Sequence, residues 1–168
     1  MRIIGIDPGY AIVGYGVVDY GGNRFSTVEY GAVTTQAGTD FPLRLQEIYA
    51  GVEEILRRTG PQAMAVEQLF FTNNKTTGIA VAEARGVILL AASRQGIPVF
   101  EYTPVQVKQA VVGYGRAVKS QVQEMTKRLL GLPRIPKPDD TADALAIAIC
   151  HAHCGGSDLS RRIRQGSI

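Results

Sequence analysis

Four acids stand where apolar elements leave little room for charge. Asp7 closes the run Ile3-Ile4-Gly5-Ile6, and Glu67 closes a second run, Ala63-Met64-Ala65-Val66. Asp140 and Asp143 are three residues apart, on one face of a helical segment that continues through Ala144, Ile147 and Cys150. Each acid taken singly has an ordinary explanation. Asp7 sits in Asp7-Pro8-Gly9, where Asp and Gly serve turn geometry. Asp139 can cap a helix whose dipole favours Asp140, and Glu67 can pair with a lysine. Taken together they argue for one cluster. Buried carboxylates need a cation or hydrogen bonds, and these four have no basic neighbours in sequence to supply one. An oxygen-only donor set suits a hard cation, Mg²⁺ or Mn²⁺. Two such ions about 3.5–4 Å apart clamp a phosphodiester and activate water.

The elements that must position these acids are legible in the pattern. Residues 2–7, 12–20 and 24–34 alternate or run apolar between turn signals and predict an antiparallel three-stranded meander. Thr39-Asp40 offers an N-cap for a helix whose Leu43, Leu45, Ile48, Val52, Ile55 and Leu56 recur at helical spacing up to Gly60. A short buried strand follows at 63–66. Asn73-Asn74 can cap a helix over about residues 75–94, thin on one side with Gly78, Ala80, Ala82, Ala84 and Gly86. Ile97 to Tyr102 predicts a fifth strand, and Thr103-Pro104 starts a helix to about Val112. Gly113-Tyr114-Gly115 breaks it. Another helix starts at Lys119 or Ser120, and the last runs from Asp139 or Asp140 to His153. The order β-β-β-α-β-α-β-α-α-α predicts an α/β fold: a five-stranded mixed sheet with helices on both faces.

The chain has 168 residues, 45% of them hydrophobic, which suits one folded domain. No apolar stretch reaches membrane-span length, and the N-terminus runs straight into a strand pattern, so no membrane partner and a cytoplasmic location are expected. Cys150 and Cys154 are expected as free thiols. Cys150-His151-Ala152-His153-Cys154 resembles a metal box, but four ligands so spaced on a helix cannot face one point. Residues 155–168 read as a basic polar tail, frayed and flexible, after a domain of residues 1–154.

The net charge of +3 permits a nucleic-acid partner without requiring one. Lys108, Arg116 and Lys119 flank the Gly113-Tyr114-Gly115 break, where backbone amides and a helix start can also meet phosphate. Phe70 and Phe71 follow Glu67 in an expected loop, either as core plugs or as base-stacking aromatics. Lys75 and Arg85 are weaker candidates for DNA contact.

Five stretches together resemble the RuvC family of bacterial Holliday-junction resolvases. They are Ile6-Asp7-Pro8-Gly9, Val66-Glu67-Gln68, Val105 to Gln109 with Val111-Val112-Gly113, Lys119-Ser120-Gln121-Val122, and Asp140-Thr141-Ala142-Asp143-Ala144-Leu145-Ala146. They are long, in order, and span residues 1 to about 154. The resemblance implies a ribonuclease H-like fold and a metal-dependent, structure-selective endonuclease. It would resolve four-way DNA junctions by paired symmetric nicks, in recombination and DNA repair, leaving 5′ phosphate and 3′ hydroxyl ends. It implies Asp7, Glu67, Asp140 and Asp143 as catalytic metal ligands for two Mg²⁺ ions, with Mn²⁺ as substitute. Some members carry His at the position of Asp140. It further implies DNA contacts by Phe70, Lys108 and Lys119, a homodimer, and work with the branch-migration helicase complex RuvA–RuvB. Two other classes fit less. One is half of an actin-like ATPase, since Asp7-Pro8-Gly9 also suits a phosphate loop; a second such loop is missing. The other is a non-catalytic junction-binding protein.

Overall fold

Every second residue of the first strand meets the same layer of helices, and this alternation carries the whole architecture. The computed structural model describes residues 1–69, 75–154 and 161–162. Three strands, β1 (Arg2–Asp7), β2 (Ile12–Gly21) and β3 (Arg24–Thr34), form the expected antiparallel meander, with a bulge between Val17 and Val18. Helix α1 (Phe41–Thr59) returns the chain to β4 (Ala63–Glu67), which pairs in parallel with β1. Helix α2 (Lys75–Arg94) does the same for β5 (Val99–Tyr102), parallel to β4. Parallel neighbours need such crossovers. α3 (Pro104–Val112), α4 (Lys119–Leu129) and α5 (Asp139–Cys154) follow, and β6 (Arg161–Arg162) pairs antiparallel with β5. Among the described residues the strand order is β3-β2-β1-β4-β5-β6. The five expected strands all form, and β6 adds a two-residue edge. β5 starts at Val99 rather than Ile97 because the Ile97 amide donates to the Ala92 carbonyl (3.0 Å) to close α2.

β1 and β4 are central and buried on both faces, which is why they read as continuous apolar runs. Ile4, Ile6, Met64 and Val66 pack against Ile48, Val52 and Leu56 of α1 and Ala84 and Ile88 of α2. Ile3 and Ala65 face the other way, onto Leu145, Ile147 and Ile149 of α5, with α3 and α4 beyond. Local signals hold where they were strongest. Thr103 forms a full capping box with Gln106, and α1 ends on Gly60 in the left-handed region (φ 57°).

α5 lies almost on the strand backbones, and three glycines make this possible. A Cβ on Gly5 would stand 2.0 Å from the Ala144 carbonyl oxygen, and one on Gly16 would stand 2.5 Å from Leu145 Cγ. A Cβ on Gly14 would stand 2.1 Å from the Asp140 carbonyl oxygen. The register pairs Gly5 with Gly16 and Gly14 with Asp7. The first turn of α5 is thereby pressed onto the strand position beside Asp7.

Candidate active site

Alternation sends Asp7 to the α5 face, two residues beyond Gly5. It sends Glu67 to the same face, two beyond Ala65. Ile6 pairs with Val66 in the parallel register, so Asp7 and Glu67 leave neighbouring strands side by side at one sheet edge. Asp140 is held against Gly14, the partner of Asp7, and Asp143 follows one turn on. Four acids separated by up to 136 positions therefore meet where β1, β4 and α5 end or begin.

Their electrostatics report this crowding. The Asp7 carboxyl is pushed up to about 7, first by burial and then by the charges of Asp143, Glu67 and Asp140, with Lys119 pulling the other way. Glu67 is raised by burial and by Asp143, against Lys108 and Lys119. Asp143 is raised by burial, offset by a hydrogen bond from Lys119. Asp139 behaves differently. Lys137 and Lys119 bind it and hold its carboxyl below the usual range, which separates it from the inward acids.

Among the described residues, no three carboxylates, thiolates or imidazoles close on one point as a finished ligand set. Lys119 accounts for part of this. Its Nζ lies 2.8 Å from Asp143 Oδ2 and 3.6 Å from Asp139 Oδ2, so its charge serves acids rather than standing free for phosphate. The acids still fit a hard divalent cation: their donors are all oxygen, and they crowd like charges beside a low-dielectric wall that added positive charge relieves.

Glu67 and Asp143 open into a cleft of about 280 Å³ whose walls include Lys108, Lys119, Val107 and Val122. Both expected lysines thus face the acids. Arg116 is exposed on the turn outside the cleft. Arg85 does not face the site. It pairs with Glu101 of β5, both side chains largely buried, so its charge is spent inside the fold. Phe70, Phe71, the Asn73-Asn74 cap and the Lys75 side chain lie outside the described residues. His151 turns inward, its Nδ1 2.7 Å from the Tyr102 hydroxyl, and His153 Nδ1 lies 3.0 Å from the Ala110 carbonyl.

Sequence reasoning missed Arg44. This residue is only 9% exposed. It donates to Thr35 Oγ1 (2.8 Å) and to the Tyr10 carbonyl (3.1 Å), and lies 4.9 Å over the Tyr10 ring. It braces the turn that follows Asp7. Its position at helical spacing within an otherwise apolar stripe was the one available signal. The three glycines under α5 were also missed; their common strand face was the signal.

Comparison with known proteins agrees with this fold. The family profile for crossover junction endodeoxyribonuclease RuvC matches residues 3–151. A protein of that name from Caldanaerobacter subterraneus is 58% identical over 153 residues, covering 91% of this chain and 93% of its own. Another, from Desulfitobacterium hafniense, is 59% identical over 153 residues, with 91% and 93% covered. The structure of Thermus thermophilus RuvC in complex with a Holliday junction substrate superposes with a TM-score of 0.92 at 38% identity, covering 97% of this chain and 99% of that one. The fold, the acids at the sheet edge and these matches lead to one statement: the chain belongs to the RuvC family of crossover junction endodeoxyribonucleases.

Proposed function

We propose that this protein is a metal-dependent, structure-selective DNA endonuclease that resolves four-way junctions by paired symmetric nicks, leaving 5′ phosphate and 3′ hydroxyl ends. The observation that carries the reading is the convergence of Asp7, Glu67, Asp140 and Asp143 at one sheet edge beside a cleft walled by Lys108 and Lys119. The four acids would hold two Mg²⁺ ions, or Mn²⁺ in their place. Bound there, the ions supply Lewis acidity that activates water and stabilises the leaving 3′ oxygen. The chain's own residues do the rest. Burial and mutual repulsion raise Asp7 and Glu67 despite the lysines nearby, so further positive charge there is favourable. Lys108 and Lys119 stand beside the same acids and offer positive charge to a phosphate entering the cleft. Lys119 leaves Asp143 to do so. Phe70 and Phe71 stack on bases, and Arg116 meets the backbone outside the cleft.

Two cuts on a two-fold symmetric substrate call for two sites, so the protein acts as a homodimer. One exposed side of α2 suits the contact: Ile79 and Leu90 are 58% and 52% exposed, with Gly86 between them opening onto free space. The protein works in the cytoplasm with the RuvA–RuvB branch-migration complex. Among the described residues no helix is long and apolar enough to cross a membrane.

Incubation with a synthetic four-way junction and with a linear duplex of matched sequence tests the reading. It predicts symmetric paired nicks in the junction alone, in Mg²⁺ and not in EDTA, with junction binding kept in EDTA. Binding without cutting in Mg²⁺ would favour a non-catalytic junction-binding protein.

A further inference from the structure

Three exposed apolar side chains gather at one turn beside the cleft. Val105, Tyr114 and Val118 are 57%, 46% and 59% exposed. Val105 sits against Gly115, where a Cβ would stand 2.7 Å from Val105 Cγ1, so the first turn of α3 and the α3–α4 turn form one surface. Tyr114 is tethered by its hydroxyl. Its hydroxyl donates to Gln121 Oε1 (2.8 Å), the same oxygen that accepts the Val118 amide (3.0 Å) at the start of α4. The ring is thus pinned at its tip with much of its surface in solvent. From Tyr102 to Gln123 the chain carries Lys108, Arg116 and Lys119 and no acid. Arg116 is exposed and makes no ion pair among the described residues. Lys119, next to Val118, lines the cleft itself.

An aromatic face tethered at its hydroxyl beside the unpaired Arg116, close to the acids, matches single-stranded nucleic acid: a π-face for a base and positive charge for its phosphate. We infer that the α3–α4 turn is a second DNA contact, in which Tyr114 stacks on an unpaired base of the junction strand leaving the cleft and Arg116 binds that strand's phosphate. The inference rests on the nuclease reading above and adds to it a base-stacking aromatic on the α3–α4 turn. Val105 and Val118, exposed on the same surface, add apolar area near the stacked base.

The test is equilibrium binding of a fluorescent four-way junction in EDTA across a salt series. It compares the unaltered protein with Tyr114→Ala, Tyr114→Phe, Arg116→Ala and the remote surface control Val28→Ser. Tyr114→Ala is expected to weaken binding roughly 5- to 100-fold, the range for loss of one stacked base. Tyr114→Phe, which keeps the ring, is expected to bind within about twofold. Arg116→Ala is expected to lower the salt slope by about 1. Thermal melts identify any variant that fails to fold, and the Phe and Arg variants leave the fold's apolar contacts in place. Tyr114→Ala binding within about twofold of an unaltered protein that binds and cuts would overturn the stacking role alone. An unaltered protein that does not hold the junction would overturn the nuclease reading and this inference together.

Discussion

Replacing Gly14 with alanine tests whether the packing of α5 sets the site. The new Cβ would stand 2.1 Å from the Asp140 carbonyl oxygen, 2.3 Å from its carbonyl carbon and 2.9 Å from its Cβ. An ordinary carbon–oxygen contact is about 3.3 Å or more, so the first turn of α5 must retreat by roughly 1 Å. Two of these atoms are backbone and the third is a Cβ, so no rotamer change relieves them. Overpacking of this kind costs about 1–3 kcal/mol, which for a chain of this size lowers Tm by several degrees. The functional cost is larger. Asp140 and Asp143 retreat with the helix from Asp7 and Glu67, and a displacement of about 1 Å at a reacting centre costs about 100-fold in rate. Gly14→Ala is therefore expected to bind the junction normally, melt several degrees early and cut about 100-fold more slowly in saturating Mg²⁺. Gly21→Ala is the control, with nothing within 4 Å of its added Cβ, and is expected to match the unaltered protein. Full cutting and an unchanged Tm for Gly14→Ala would refute the packing argument.

Three further outcomes are expected. Lys119→Met removes the cation that Asp143 holds at 2.8 Å; a half-exposed pair of this kind is worth about 1 kcal/mol, so Mn²⁺ binding without DNA should tighten about fivefold by calorimetry while cutting falls. Unchanged or weaker Mn²⁺ binding would count against that competition. The Asp7 carboxyl titrates near 7 in the folded protein against 3.8 ordinarily, so the folded state keeps a proton that the unfolded chain has released between those values. That contribution favours folding at low pH and is lost as pH rises through about 7, so metal-free Asp7→Asn should melt above the unaltered protein at pH 8, with the gap closing toward pH 5. The buried His151, pushed down to about 4, costs stability as pH falls below 6.5, but it is common to both proteins and cancels in the difference. Arg85→Met leaves the largely covered Glu101 without its partner and should cost about 1–3 kcal/mol in a denaturant titration while leaving Mn²⁺ affinity unchanged.

The parts of this protein that sequence revealed are those written in local pattern. β1 and β4 read as buried strands because each is apolar on both faces, and each ends on a charge that such a strand would otherwise exclude. Asp140 and Asp143 were legible from their spacing on an apolar helix, and Thr103-Pro104 from its capping chemistry. The missing parts depend on contacts between distant segments. Nothing near Gly14 announces that Asp140 will lie on it. The pairing of Lys119 with Asp143 joins two helices, and that of Arg85 with Glu101 joins α2 to β5. Arg44 is a cation within the otherwise apolar stripe of α1. Its burial follows from the β1–β2 turn folding over α1, where the Tyr10 carbonyl and ring receive it.

The central claim is that Asp7 belongs to a metal-binding cluster that cuts junctions. Mapping nicks on both strands of a four-way junction in Mg²⁺, for the unaltered protein and Asp7→Asn at equal junction occupancy, tests it most directly. The account predicts paired nicks at symmetric positions for the unaltered protein and none for Asp7→Asn. Equal cutting by both would mean that Asp7 serves only the turn and that the cluster does not carry the chemistry.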